Sequence, residues 1–234
     1  MTDITGRVAL VTGANRGLGA AFVAELLERG AAKVYAAARR PESIAADDPR
    51  VVPLALDVTD PDSIAAAAEA APDVTILVNN AGIAANQSLV TGDLDEVRRE
   101  LDTNYWGPVL LTRAFAPAIE ANGGGAIVTM HSALSWLATG SYSASKAAVW
   151  SASNSARVEL APRGIQVVGV HVGYVDTDMA ADVTADKVPP QQVVAEALDA
   201  VEADEAEAIV GDVARHVKSR LHEDVRVLYP QLAR

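Results

Sequence analysis

A tyrosine and a lysine one helical turn apart are the residues with the clearest chemistry in this sequence. Tyr142 and Lys146 stand four residues apart in YSASK, so a helix there projects both side chains from one face. A phenol has an ordinary pKa of about 10, and a nearby ammonium lowers it by favouring phenolate. Ser132 stands ten residues before the tyrosine. The pattern predicts a site that moves a proton; the alternative is a half-buried tyrosine beside a surface lysine.

A glycine-rich loop follows the first apolar run of the chain. Gly13, Gly17 and Gly19 lie in TGANRGLG, residues 12–19, where a predicted strand turns into a helix. Residues without a Cβ let the backbone approach a pyrophosphate, and the helix N-terminus offers free N–H groups to that charge. The spacing is a variant of the dinucleotide fingerprint. It predicts a dinucleotide site, with a plain tight turn as the alternative.

The end of the second predicted strand indicates which dinucleotide binds. Folds that bind NAD carry a carboxylate there, which holds the 2′-hydroxyl of adenosine. This chain has Ala38 followed by Arg39, and Arg16 in the glycine loop adds a second cation nearby. Guanidinium groups match the geometry of phosphate. The sequence therefore predicts NADPH as the cofactor, the alternative being that Arg39 belongs to a solvated charged loop.

The elements that must position these residues alternate along the chain. Six runs of strand length are continuously apolar, as in strands covered on both faces: 7–12, 33–38, 51–56, 74–79, 126–130 and 165–172. Helical patterns cover 17–30, 60–71, 93–121 and 141–161, and a short strand, an amphipathic helix and a tail follow over 207–234. We predict an α/β fold: a Rossmann-like, doubly wound parallel sheet with helices on both faces, in a single domain over 1–234.

The composition excludes several classes of function. The chain has 234 residues, a net charge of −12 and no cysteine. Its acidity argues against nucleic acid and membrane surfaces as partners, and the lack of cysteine excludes disulfides and thiol catalysis. The four histidines have no metal-ligand spacing, so no metal site is predicted. Since no apolar stretch reaches about 18 residues and no targeting peptide is recognisable, we expect a cytoplasmic protein.

The motifs, in their order and spacing, resemble those of the short-chain dehydrogenase/reductase family from about residue 7 to about residue 179. They are TGANRGLG (12–19), LDVTD (56–60), NNAG (79–82), NYWG (104–107), YSASK (142–146) and HVGYVDTDM (171–179). The resemblance implies an oxidoreductase in which Tyr142 donates a proton to a substrate carbonyl while NADPH delivers hydride. It implies that Ser132 holds the same oxygen, that Lys146 also grips the nicotinamide ribose, and that Asn104 anchors the water of a proton relay.

The resemblance also implies a cofactor site spread over several loops. Asp57 and Val58 would flank the adenine, and residues 80–82 would line the cofactor and stabilise the central sheet. Val175 and Thr177 would meet the nicotinamide carboxamide and the phosphates. The complete predicted cofactor set is Gly13, Asn15, Arg16, Gly17, Leu18, Gly19, Arg39, Asp57, Val58, Asn80, Ala81, Gly82, Tyr142, Lys146, Val175 and Thr177.

The loop between the serine and the tyrosine is shorter than the family pattern. Relatives usually place the serine about thirteen residues before the tyrosine, and this chain has ten. Ten extended residues reach up to roughly 33 Å, so we still expect Ser132 to face Tyr142. Ser135 is the alternative if the register of the loop has slipped. Trp136 is expected either to line the substrate pocket or to pack beneath the loop.

Two further departures bear on the substrate loop and on assembly. Val172–Gly173 stands where relatives usually have Pro-Gly, which leaves the following loop less rigid. The usual C-terminal strand with a Val-Asp-Gly-Gly-like end is missing. Because that end commonly builds a tetramer in the family, we expect a homodimer here, with a monomer or a tetramer as alternatives.

The predicted function is the NADPH-dependent reduction of a small, neutral, mostly apolar ketone or aldehyde. The segment after Thr177 is short and carries no cluster of basic residues for an anionic substrate. A 3-oxoacyl-thioester reductase is the nearest alternative. A non-catalytic sensor or scaffold that binds NADPH is the alternative from another class.

Overall fold

Seven strands form one parallel sheet in the computed structural model, which describes residues 2–232. The strands are β1 (Val8–Thr12), β2 (Lys33–Ala38), β3 (Val51–Ala55), β4 (Ile76–Asn79), β5 (Gly125–Met130), β6 (Ile165–Val172) and β7 (Glu207–Val210). Their order in the sheet is β3-β2-β1-β4-β5-β6-β7. The direction of winding reverses between β1 and β4, and open α/β sheets bind ligands at the carboxyl ends of the strands on either side of such a point.

Eight helices connect the strands or follow the last one. They are α1 (Gly17–Glu28), α2 (Pro61–Ala70), α3 (Leu94–Leu101), α4 (Gly107–Ala121), α5 (Ser141–Leu160), α6 (Pro190–Glu202), α7 (Gly211–Ser219) and α8 (Val225–Leu228). The sheet separates two apolar clusters, one including α1 and α6 and the other including α2 and α4. Each fully buried Phe or Leu side chain, such as Phe22 in the first and Phe115 in the second, contributes ~1.5–3 kcal/mol to folding.

The predicted helix over 93–121 is divided in the structure by a π-helical turn. Asp93 caps the start of α3 by accepting a hydrogen bond from Asp95 N at 2.8 Å. Residues 102–106 then form the π turn, in which Gly107 N donates to Asp102 O. Pro108 follows immediately and has no N–H to give to Asn104 O, four residues earlier, so a regular α-helix loses a bond here. A π turn of this kind is frequent at functional sites.

The other predicted elements are confirmed to within a few residues. Asp60 caps α2 and Pro61 is its first residue, while Gly30 adopts φ +84° just beyond α1, as expected of a helix-ending glycine. The fold class is as predicted. The predicted strand, helix and tail over 207–234 correspond to β7, α7 and α8, and residues 233–234 lie outside the described part. Within residues 2–232, no helix is long and apolar enough to span a membrane.

Candidate active site

The glycine loop lies at the carboxyl end of β1 and is packed directly against the end of β4. A Cβ built on Gly19 would lie 2.1 Å from Gly13 O and 2.8 Å from Asn80 Nδ2, so only glycine fits there. Asn80 Nδ2 donates to Thr12 O at 2.8 Å and thereby ties the two strand ends together. Gly17 adopts φ +54° at the first turn of α1. The loop thus brings backbone and a helix N-terminus close to whatever occupies the crevice, which suits a pyrophosphate.

A cavity of about 180 Å³ lies beside the glycine loop, at the end of β2. Its lining contains no carboxylate and consists of Asn15, Arg16, Ala38, Arg39, Arg40 and Ser43. Hydrogen bonds from Thr59 lower the pKa of the Asp57 carboxyl, and the positive charge of Arg39 also lowers it, to a smaller extent. The cavity brings together the two cations from which NADPH was predicted, and its chemistry fits a 2′-phosphate.

At the opposite end of the predicted cofactor site, the predicted residues also lie close together. A Cβ on Gly82 would lie 3.2 Å from Asn104 Oδ1 and 3.8 Å from Lys146 Nζ, so these three residues are neighbours. Thr177 Cγ2 would lie 3.4 Å from a Cβ on Gly17, which places the loop after β6 against the glycine loop. The loops that follow β1, β4 and β6 therefore meet at one edge of the sheet, the edge at which open α/β sheets bind ligands.

Three of the predicted cofactor residues have packing contacts in this structure. Leu18 packs against the apolar cluster that includes α1 and α6. Val58 is buried and would contact a Cβ on Gly107 at 3.2 Å. Val175 pairs with Val188 in an isolated bridge and accepts a hydrogen bond from the Thr177 hydroxyl at 3.5 Å. These contacts hold the loops in which the three residues lie.

Ser132 lies at the end of β5 and faces Tyr142 despite the shortened loop. Its side chain hydrogen-bonds the tyrosine and accepts from Leu134 N at 3.1 Å. Ser135 has a different task, because its hydroxyl accepts from Ser132 N at 3.2 Å and completes a capping box around the turn 133–135. The register has therefore not slipped, and Ser135 is not the serine at the site.

Tyr142 and Lys146 lie on one face of α5, as the spacing predicts. Lys146 Nζ is 5.7 Å from the centre of the Tyr142 ring and donates to Met130 O at 2.8 Å. The expectation that Lys146 lowers the tyrosine pKa is wrong. Burial, and then the charge of Glu100, raise the pKa of Tyr142 to about 12, and burial lowers the pKa of Lys146 to about 8. Desolvation disfavours the charged form of each group, which is the phenolate of Tyr142 and the ammonium of Lys146.

Asn104 is buried within the π turn, and its side chain is fully engaged. Oδ1 accepts from Ile83 N at 2.9 Å, while Nδ2 donates to Ile83 O at 2.9 Å and to Ser145 Oγ at 3.0 Å. The side chain therefore holds the segment after β4 against α5. Its backbone carbonyl lacks an α-helical hydrogen bond, because the residue four positions later is Pro108, which has no N–H to donate.

Glu100 is a buried carboxylate near the site that the motifs did not reveal. It lies one turn before Asn104 on α3 and has no exposed surface. One oxygen accepts from Ala85 N at 2.6 Å, and the other has no hydrogen-bond partner among the described residues. Its charge reaches both Tyr142 and Lys146. The four-residue spacing to Asn104 was the available indication that it faces the same side of the helix.

A cluster of buried polar rings behind Ser132 is also absent from the motif pattern. His131 and His171 contact one another through ring nitrogens 3.1 Å apart. Trp136 stacks on His171 with ring centres 4.0 Å apart and is itself buried, so it packs beneath the loop. From the C-terminal tail, Tyr229 Oη accepts from Ala138 N at 2.9 Å and touches the same loop.

Comparison with known proteins places this chain among dinucleotide oxidoreductases. The family model described as short chain dehydrogenase matches residues 7–188. The chain is 33% identical over 242 residues to the 3-oxoacyl-[acyl-carrier-protein] reductase FabG of Escherichia coli, covering 94% of this chain and 99% of that protein.

Solved structures give the same result and hold the predicted cofactor. A short chain dehydrogenase from Burkholderia cenocepacia, in complex with NADP, superposes with a TM-score of 0.94 at 40% identity, covering 99% of each chain. An NADPH-bound carbonyl reductase from chicken fatty liver superposes with a TM-score of 0.78 at 30% identity, covering 86% of this chain and 95% of that one. With the motifs and the sheet order, these matches show that the chain belongs to the short-chain dehydrogenase/reductase family.

Proposed function

We propose that this protein reduces small, neutral, mostly apolar ketones or aldehydes with NADPH. The observation that carries the proposal is the meeting of Ser132, Tyr142 and Lys146 at the end of β5, beside a glycine cradle and a cationic cavity. A sensor or scaffold needs the cradle alone. The buried proton-bearing groups next to it favour a catalyst.

The residues of the site can each be given a task in the reduction. Bound NADPH supplies hydride to the carbonyl carbon. The Ser132 hydroxyl donates a hydrogen bond to the carbonyl oxygen and holds it, and the Tyr142 hydroxyl gives that oxygen its proton, so the carbonyl becomes an alcohol. The Lys146 ammonium then stabilises the phenolate left behind. The Asn104 carbonyl, which has no α-helical donor because of Pro108, is available to hold the water that restores the proton.

The electrostatics of the free site suit the direction of reduction. A pKa of about 12 keeps Tyr142 protonated at neutral pH, and the buried charge of Glu100 is one cause of that value. A protonated phenol is the form needed by a general acid. Oxidation of an alcohol needs the phenolate as a base, and this form is disfavoured until cofactor binding adds positive charge.

The surroundings of the site support a neutral substrate with apolar groups. Tyr174 and Met179, in the segment after β6, are among the exposed apolar side chains of the protein. Near the C-terminus, Arg215 on α7 and Arg220 just after it both pair with carboxylates, so they offer little free charge to an anion. A small carbonyl compound oriented by a few polar groups in apolar surroundings fits this chemistry.

A second candidate is the reduction of 3-oxoacyl thioesters. It is favoured by the match to the Escherichia coli reductase, which extends over 99% of that protein. The reacting group is again a ketone, so the same catalytic residues would serve. The two candidates differ in the part of the substrate that the protein must bind besides the carbonyl group.

A substrate panel separates the candidates. NADPH consumption is followed by absorbance with aryl ketones, aliphatic ketones and aldehydes, and a 3-oxoacyl thioester, with Tyr142→Phe as the matched control. We expect kcat/KM to be highest for a neutral ketone or aldehyde, and at least ~100-fold lower in the variant. A preference for the thioester would establish the second candidate. Tight NADPH binding without turnover of any compound would establish a sensor or scaffold.

Three predictions about the context of the protein accompany this proposal. The chain is expected to act as one domain over its whole length. It is expected to form a homodimer, with a monomer or tetramer as alternatives, and to work in the cytoplasm. Light scattering of the purified protein checks the oligomeric state.

A further inference from the structure

A chain of buried polar contacts leads from the C-terminal segment to the backbone of Ser132. His171 Nδ1, on β6, lies 3.2 Å from Ser132 O. His171 Nε2 lies 3.1 Å from Nδ1 of His131, the residue after β5, and 3.4 Å from Glu207 Oε1, on β7. His131 Nε2 lies 3.0 Å from Ser153 Oγ on α5. Both histidines are essentially inaccessible to solvent.

These contacts limit where the protons can be. A carbonyl oxygen only accepts, so His171 Nδ1 must carry a hydrogen to bond Ser132 O. Burial, and then the charge of His171, hold the pKa of His131 well below its ordinary value, so His131 is neutral. In the arrangement where His131 Nε2–H donates to Ser153 Oγ, His131 Nδ1 accepts. His171 Nε2 then faces two acceptors, one of them the Glu207 carboxylate, and a hydrogen on both nitrogens of His171 satisfies every contact.

Several hydrogen bonds keep Glu207 in its carboxylate form. It accepts hydrogen bonds from Trp150 Nε1 at 3.1 Å and from Lys218 Nζ, on α7. Bonding to His171 is the largest cause that holds the pKa of Glu207 far below its usual range. Glu207 therefore places a negative charge 3.4 Å from His171 Nε2.

The shortened loop after Ser132 is packed onto this charged cluster. Trp136 stacks on His171 with planes 12° apart, and Lys218 Nζ lies 5.1 Å from the centre of the Trp136 ring. A Cβ on Gly169 would lie 2.7 Å from the His131 ring, so β6 makes room for the cluster by using glycine. The position of Ser132 thus depends on β6, β7 and α7 together.

We propose that His171 and Glu207 are positioning residues of the reaction, which hold Ser132 against the substrate oxygen through a buried imidazolium–carboxylate pair. This inference rests on the proposed reductase function. The charged and titratable groups around the pair are His131, which directly follows β5, Lys218 from α7, and Lys146 and Arg157 from α5, whose charges reach His131.

Two substitutions at one position separate positioning from packing. His171→Asn keeps an N–H near Nδ1 for Ser132 O, and His171→Gln keeps one near Nε2 for Glu207. We expect kcat to fall on the order of tenfold in His171→Gln and less in His171→Asn, because misplacing a catalytic group slows the chemistry. The Kd for NADPH should change less than about twofold. His216→Asn, on the surface of α7, is the matched control and should keep the wild-type kcat.

Nitrogen-15 NMR of the wild-type histidine rings tests the proton assignment without any activity. We expect His171 to be doubly protonated and His131 to be the neutral Nε2–H form at pH 7. A neutral His171 would overturn the proposal, as would folded His171 variants with unchanged kcat. A wild type that reduces no carbonyl would instead refute the proposed function, and the NMR result would still decide the charge pair if the His171 variants failed to fold.

Discussion

Removing Arg39 should change which nicotinamide cofactor the protein prefers. The side chain lines the cavity at the end of β2, where Ala38 leaves no carboxylate to hold a 2′-hydroxyl. Hydrogen bonds to charged groups contribute about 1.5–3 kcal/mol, but Arg39 is exposed and solvent screens such contacts. Taking the lower end, about 1.5 kcal/mol, Arg39→Ala should weaken NADPH binding by roughly 10-fold. NADH lacks the phosphate, so its affinity should change less than about threefold.

The assay is a fluorescence titration of each cofactor, at low and at high salt, against the wild type and Arg39→Ala. Arg39→Lys keeps the charge without the planar fork and should lie between the two. Arg98→Ala is a control for loss of a positive charge, because Arg98 pairs with Asp95 on α3. Salt should weaken NADPH binding more in the wild type than in Arg39→Ala, since screening acts on the phosphate contact. An unchanged ratio of NADPH to NADH affinity in Arg39→Ala would refute this account of the cavity.

Three further substitutions test the rest of the site. Glu100→Gln should shift the pH dependence of alcohol oxidation downward by about one pH unit, because a buried negative charge no longer opposes the phenolate; an unshifted profile would exclude this influence. Gly19→Ala should destabilise the fold by ~1–3 kcal/mol and abolish NADPH binding, since its Cβ would meet Gly13 O; calorimetry that shows normal binding would contradict the cradle. Lys146→Met should be inactive yet no less stable at pH 7. Between pH 8 and 10.5, Lys146 is protonated in the unfolded wild type but not in the folded one. The free energy of unfolding of the wild type should therefore rise by about 3 kcal/mol over that range, and urea unfolding of Lys146→Met should show no such rise.

The fold and the main catalytic residues could be predicted from local patterns. Continuous apolar strands, the glycine loop and the four-residue spacing of Tyr142 and Lys146 each depend on short stretches of chain. The predicted helix over 93–121 was wrong in its middle, where the pattern of apolar residues continues through the π turn. Pro108 was the residue that signalled the interruption.

Other features depend on residues far apart in sequence. The electrostatics at Tyr142 depend on burial and on Glu100, so the expected lowering of its pKa by Lys146 was wrong for the free protein. The pairing of His131 with His171 joins residues 40 apart, and Glu207 completes it from the last strand. Such contacts arise between neighbouring parallel strands, so a pattern within one short stretch of sequence does not predict them.

Single-turnover kinetics of Tyr142→Phe test the central claim most directly. NADPH affinity is measured by titration, and hydride transfer to the best ketone of the panel is then followed in one turnover. The account predicts that the Kd for NADPH stays within about threefold of the wild type while the rate of hydride transfer falls at least ~100-fold, because only the proton donor has been removed. Hydride transfer at the wild-type rate in Tyr142→Phe would contradict it.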